Sequence, residues 1–106
     1  MEFRDWPEAA VDWSSMPATR TAGATTRAHK THDVQLRVVD YEPGYLADHW
    51  CSKGHILYVI SGSLTIEHGD GKEPYALAAG MSWQTADGGS PHRVRTTSGA
   101  KVFIVD

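Results

Sequence analysis

The chain predicts an all-β fold, a single sandwich or barrel. Three observations lead there: short runs in which apolar and polar residues alternate, turn signals about every ten residues, and no window of adequate length with a helical period. Size agrees, because 106 residues suit one compact domain and leave no room for a second core. So does composition: 41% hydrophobic and 22% charged residues describe an ordinary globular chain. A net charge of -3 gives no basic footprint for nucleic acid. The longest apolar run, Ile56 to Ile60, is too short to span a bilayer, so no membrane partner is expected. Met1 to Ala10 holds acids, a Pro and a Trp but no apolar core of a secretory signal. With a single cysteine, Cys51, the fold must be held by packing alone, and the cytoplasm is the expected compartment.

In chain order, residues 1–33 read as an N-terminal arm and edge strand, and residues 34–106 as the barrel. Trp6 and Trp13 are placed to pin the arm to the barrel's outer surface. Ala18 to His32 is rich in Thr and Ala; it is expected as an edge strand plus a loop, or as a segment pairing with a second subunit. Val34, Leu36 and Val38 alternate with polar residues, and Glu42-Pro43-Gly44 ends that strand. Tyr45 to Cys51 reads as a further extended run. His55 to Ile60 is apolar at nearly every position, as in a strand covered on both faces. A turn at Ser61-Gly62 follows, then alternation through Leu64, Ile66 and His68, and a hairpin connection at His68 to Lys72. Pro74 to Ala78, Met81 to Thr85, His92 to Thr96 and Lys101 to Val105 complete roughly seven to nine strands.

The chemistry-bearing residues cluster in two places. Residues i and i+2 of a strand share a face about 6.6 Å apart, and His49 and Cys51 have that spacing. If the turn at Ser52-Lys53-Gly54 keeps the phase, His55 joins them. His92 opens a later strand, and antiparallel pairing would set it beside the others. Imidazole suits Fe, Mn, Ni, Cu and Zn alike, so the ligand types name no single divalent transition metal. His29, His32 and His68 sit at polar turns and are expected in solvent. Asp48 and Trp50, opposite in phase to His49, are expected on the outer face, as are Arg93 and Arg95. Tyr45, Met81 and Trp83 share the inward phase and are candidate pocket-lining residues for a small-molecule ligand.

These residues carry a resemblance. Gly44 to Gly62 resembles the first cupin motif: Gly, five residues, His-x-His, three or four residues, Glu, six residues, Gly. Here four residues separate Gly44 from His49, Cys51 stands at the second His, His55 at the Glu, and Gly62 closes the motif at the expected distance. Gly80 to His92 is similar to the second motif, with Ala86 at the Pro position, Gly88 matching and His92 one residue late. The run Asp48-His49-Trp50-Cys51 resembles the signature of a small cupin subgroup named for an Asp-His-Cys-Trp-type motif.

The resemblance implies a single-domain cupin, a double-stranded β-helix or jelly-roll barrel, with metal ligands drawn from His49, Cys51, His55 and His92. Four ligands around zinc would close the site and make it structural. Three histidines, or a six-coordinate metal, would leave positions open for a substrate or dioxygen. Two functions stay open at this point: a metal-dependent enzyme of oxygenase or isomerase type, and a non-catalytic module that binds a small molecule or a metal. A homodimer is expected through the outer apolar stripe of Ile56, Tyr58 and Ile60, in phase with Trp50.

Overall fold

Antiparallel pairing accounts for nearly all of the architecture in the computed structural model, which describes residues 2–106. The strands are β1 (Thr19–Thr21), β2 (Ala24–Thr31), β3 (Val34–Tyr41), β4 (His55–His68), β5 (Tyr75–Ala78), β6 (Ser82–Thr85), β7 (His92–Arg95) and β8 (Ala100–Val105). One sheet runs β1-β2-β3-β8 and continues through the first half of β4 to β6. The second half of β4 pairs with β5 along one edge and β7 along the other. The long strand β4 therefore threads both layers and ties them together. No helix among the described residues is long and apolar enough to cross a membrane.

The first third is more regular than its composition suggests. Instead of a lone edge strand plus loop, β1 and β2 form a hairpin, with Thr21 opposite Ala24. The two connecting residues, Ala22 and Gly23, both adopt positive φ, as a two-residue hairpin turn of this hand requires. β2 then pairs with β3 over its whole length, around a turn in which His32 also has positive φ. Upstream, a single 3-10 turn at Trp13–Ser15 is capped by the Asp12 carboxylate, which accepts from the Ser14 N–H. Trp13 meets Phe103 of β8 edge-on with ring centres 6.2 Å apart, so the arm does lie against the barrel's outside.

The expected turn at Ser61-Gly62 is a bulge within β4. Val59 pairs with Val102 and Ser61 with Lys101, so one extra residue is absorbed between them. Before the bulge the odd positions Leu57 and Val59 are buried; after it the even positions Leu64 and Ile66 are. One residue of slip reverses which side chains face inward, and here it keeps both halves of β4 pointed at a single core. That core joins Val39, Leu57, Val59, Leu64, Ile66, Leu77, Val102 and Ile104. Gly62 makes the crossing possible: its φ is +76°, and a side chain there would run into the Gly99 carbonyl.

Tyr45 to Cys51 is not a strand. It touches β7 through isolated bridges at Leu46–Arg95 and Cys51–His92, with bends between. After the Pro43-Gly44 turn, too few of its backbone groups find ladder partners to hold it extended.

Candidate histidine centre in the barrel

His55 begins β4 on the inward side, in phase with Leu57 and Val59. His92 begins β7 and is 3% exposed. Their rings meet edge to face with centres 4.9 Å apart. Trp83 of β6 closes the group, 4.9 Å from His92 and 5.5 Å from His55. The His92 Nδ1–H donates to the Ser90 carbonyl at 3.2 Å. That bond fixes the tautomer and leaves the Nε2 lone pair free. Nε2 of His92 and Nδ1 of His55 are both buried without a hydrogen-bond partner. Burial, and then the facing His92, push the His55 imidazole down to about 4, so it is neutral at physiological pH.

Cys51 exchanges two backbone hydrogen bonds with His92, each 2.8 Å, so the two residues are directly opposite and present side chains to one face. Cys51 is half-buried, and its Sγ accepts from the Lys53 N–H at 3.4 Å. His49 lies apart. Its side chain is 80% exposed, and its Nδ1 is 2.7 Å from the Asp48 carboxylate. With the segment bent rather than extended, the two-residue alternation that would turn His49 inward is lost. Trp50 does lie outside, stacked under the Arg93 guanidinium at 4.3 Å and packed on Gly69. That places it on the β7 side, so it does not extend the stripe of Ile56, Tyr58 and Ile60.

His68 was expected in solvent and is instead half-buried. It is the direct partner of His92 in the β4–β7 ladder, on the same inward face as Ile66, and its Nδ1 is buried without a partner. The signal was its phase with Leu64 and Ile66; nearness to the hairpin obscured it. His32 is exposed beside Asp33, whereas His29 is half-buried. Arg93 and Arg95 both donate to Glu67 on the outer face, as their phase implied.

Of the candidate pocket residues, Trp83 and Met81 border a cavity of about 420 Å³ together with His68 and Tyr75. Tyr45 does not; its ring packs on Tyr41 with centres 4.6 Å apart. The bent backbone after Gly44 turns it toward the end of β3.

The donor chemistry of His55 and His92 fits a transition metal: two imidazoles, each with an unpaired nitrogen in the interior. The four-residue set is not assembled. Among the described residues no three His, Cys, Asp or Glu side chains stand together as a metal cage.

Comparison with known proteins places this geometry. The barrel superposes on ectoine synthase from P. lautus with a TM-score of 0.79 at 20% identity, covering 92% of this chain and 76% of that one. An RmlC-like cupin from Shewanella frigidimarina matches with a TM-score of 0.75 at 16% identity, covering 94% and 90%. Apo-HppE matches with a TM-score of 0.75 at 19% identity; the alignment covers 92% of this chain but only 57% of HppE's length. At these identities the likeness concerns the fold alone. No curated protein matches the sequence. A family profile described as the Cupin domain matches residues 37–106, well over half of the chain. With that match, the two-layered barrel and the two sequence motifs in their order, the chain belongs to the cupin family.

Proposed function

We propose that this cupin binds a small organic molecule at a histidine centre inside its barrel, with a divalent transition metal held first by His55 and His92. One observation carries the reading. Two imidazoles face each other in the interior with nitrogens that no protein group satisfies. Leaving a buried polar atom unpaired costs about 1–3 kcal/mol, which a purely structural pair would avoid. Cys51, on the same face as His92, is the next candidate ligand; His49, exposed two residues earlier on a segment tied down only by isolated bridges, joins only if that segment turns inward. A metal there would act as a Lewis acid or an oxygen-binding centre. The chain's own residues do the rest. Trp83 walls the centre, the Ser90 carbonyl holds the His92 tautomer, and burial keeps His55 neutral and able to donate its lone pair. Among structural neighbours, one is described as Fe(II)-HppE with an alternative substrate, so this barrel shape accommodates iron and a small molecule together in that protein.

A metal-dependent enzyme of oxygenase or isomerase type is the fuller form of this reading. Binding without catalysis is the second, and it is favoured by the carboxylates bordering His55. Asp87 Oδ1 accepts from the Gly54 N–H at 2.7 Å and Asp106 Oδ2 from Arg37 at 2.9 Å, so both carboxylates are tied into structural bonds, with one oxygen of Asp106, Oδ1, left buried and unpaired. The test is metal analysis of protein purified without chelator or affinity nickel, repeated on His92→Ala and Cys51→Ser. The reading expects bound metal in the parent chain and its loss in His92→Ala. Loss in Cys51→Ser as well assigns the thiolate as a ligand. Equal metal in the parent and His92→Ala contradicts the assignment.

A further inference from the structure

The cavity beside Trp83 carries a second set of chemistry that the metal ligands do not use. It holds about 420 Å³ and is bordered by His68, Lys72, Tyr75, Trp83, Gln84 and Thr85. Its charge is one-sided. Lys72 is the ammonium at its rim, with Nζ 5.8 Å over the Tyr75 ring, and none of the residues lining the cavity is Asp or Glu. Of the acids nearby in sequence, Glu73 is exposed and does not line the cavity, and two others are engaged elsewhere. Glu67 accepts from Arg93 and Arg95 on the outer face, and Asp70 accepts from the Ser90 hydroxyl and from the Lys72 backbone N–H. His68 lines the same cavity; its Nδ1 is buried with no hydrogen-bond partner, and its ring is held edge-on against Tyr75 at 5.6 Å. Gln84 and Thr85 add neutral donors at the border.

We infer that this cavity is an oxyanion subsite, taking a carboxylate or phosphate group of the small ligand. An ammonium and an imidazole bordering one half-open cavity with no carboxylate in its lining form a complementary pair for a compact anion. Trp83 is shared between this cavity and the His55–His92 pair, so an anionic group seated here sets the rest of the molecule toward the histidines. The inference rests on the reading of the interior as a small-molecule site, but not on the metal.

The test uses the full chain stripped of metal by chelator, titrated by NMR with inorganic phosphate, acetate and methylammonium. Phosphate or acetate is expected to move the Trp83 indole and His68 ring resonances in a saturable way, whichever binds more tightly naming the anion; methylammonium is expected to move neither. Lys72→Met is expected to weaken the preferred anion at least tenfold and His68→Gln at least fivefold, while Lys72→Met keeps the parent's metal content. Unchanged affinity in both variants, an adventitious ion only, overturns the inference. So does saturable binding of methylammonium. Because the titration is done without metal, a failed metal centre and a failed anion subsite give separate results.

Discussion

Replacing His92 by leucine should leave the metal-free protein about as stable as the parent while removing its response to metal. The magnitude follows from what His92 touches. Its unpaired Nε2 costs the folded state about 1–3 kcal/mol. Against that stand one hydrogen bond to the Ser90 carbonyl, worth about 0.5–1.5 kcal/mol, and edge-on contacts with His55 and Trp83 worth a similar amount. These nearly cancel, so His92→Leu is expected within about 1 kcal/mol of the parent in urea unfolding with chelator present. A metal at a hundred times its Kd adds about 2.7 kcal/mol to a chain that binds it only when folded. The parent should gain roughly that amount, and the variant none. A metal-free loss of more than about 2 kcal/mol would show that His92 is a structural histidine. An equal metal-dependent gain in both proteins would show that the metal sits elsewhere.

Further outcomes follow from the same geometry. Gly62→Ala places a methyl group against the Gly99 carbonyl and 2.9 Å from the Ala100 Cα at a φ of +76°; strain and overpacking together should cost about 3 kcal/mol or more, measured by urea unfolding. Leu57→Ala, at a core position 1% exposed, should cost about 2–5 kcal/mol in the same assay. Burial pushes the Tyr41 phenol up to about 12, so above pH 10 the unfolded chain ionises there while the folded chain does not. Stability should therefore fall by about 2 kcal/mol between pH 10 and 12, and Tyr41→Phe should flatten that decline. We expect the homodimer to form through Ile56, Tyr58 and Ile60, each close to half exposed on the outer sheet. Light scattering should then give a dimer mass for the parent and a monomer for Tyr58→Glu; a monomeric parent would remove the idea.

Most of the barrel was legible in the chain because period-two alternation and Gly or Pro punctuation report directly on strands with one buried face. Where it misled, the backbone did something the residue types do not advertise. Ala22 and His32 occupy left-handed conformations that sequence rules reserve for Gly, Asn and Asp, which concealed two hairpins. The bulge at Ile60 looked like a chain-reversing turn because Ser61-Gly62 suits both. In the candidate site, His55 and His92 came together through long-range pairing that the motif order anticipated. His49 did not join them, because alternation was read along a segment that lacks the ladder bonds of a strand. His68 went the other way: its phase pointed inward, but its place beside the Gly69-Asp70-Gly71 tip suggested solvent.

His55 and His92 are the proposed nucleus of a transition-metal centre. Titration of the metal-free chain with cobalt(II), followed by visible absorption, addresses it most directly, since the spectrum reports the ligands and not merely the presence of metal. The account predicts saturable one-to-one binding with ligand-field bands that disappear in both His55→Ala and His92→Ala, and a thiolate charge-transfer band if Cys51 takes part. A spectrum that stays that of aqueous cobalt, or bands that persist in both variants, would contradict it.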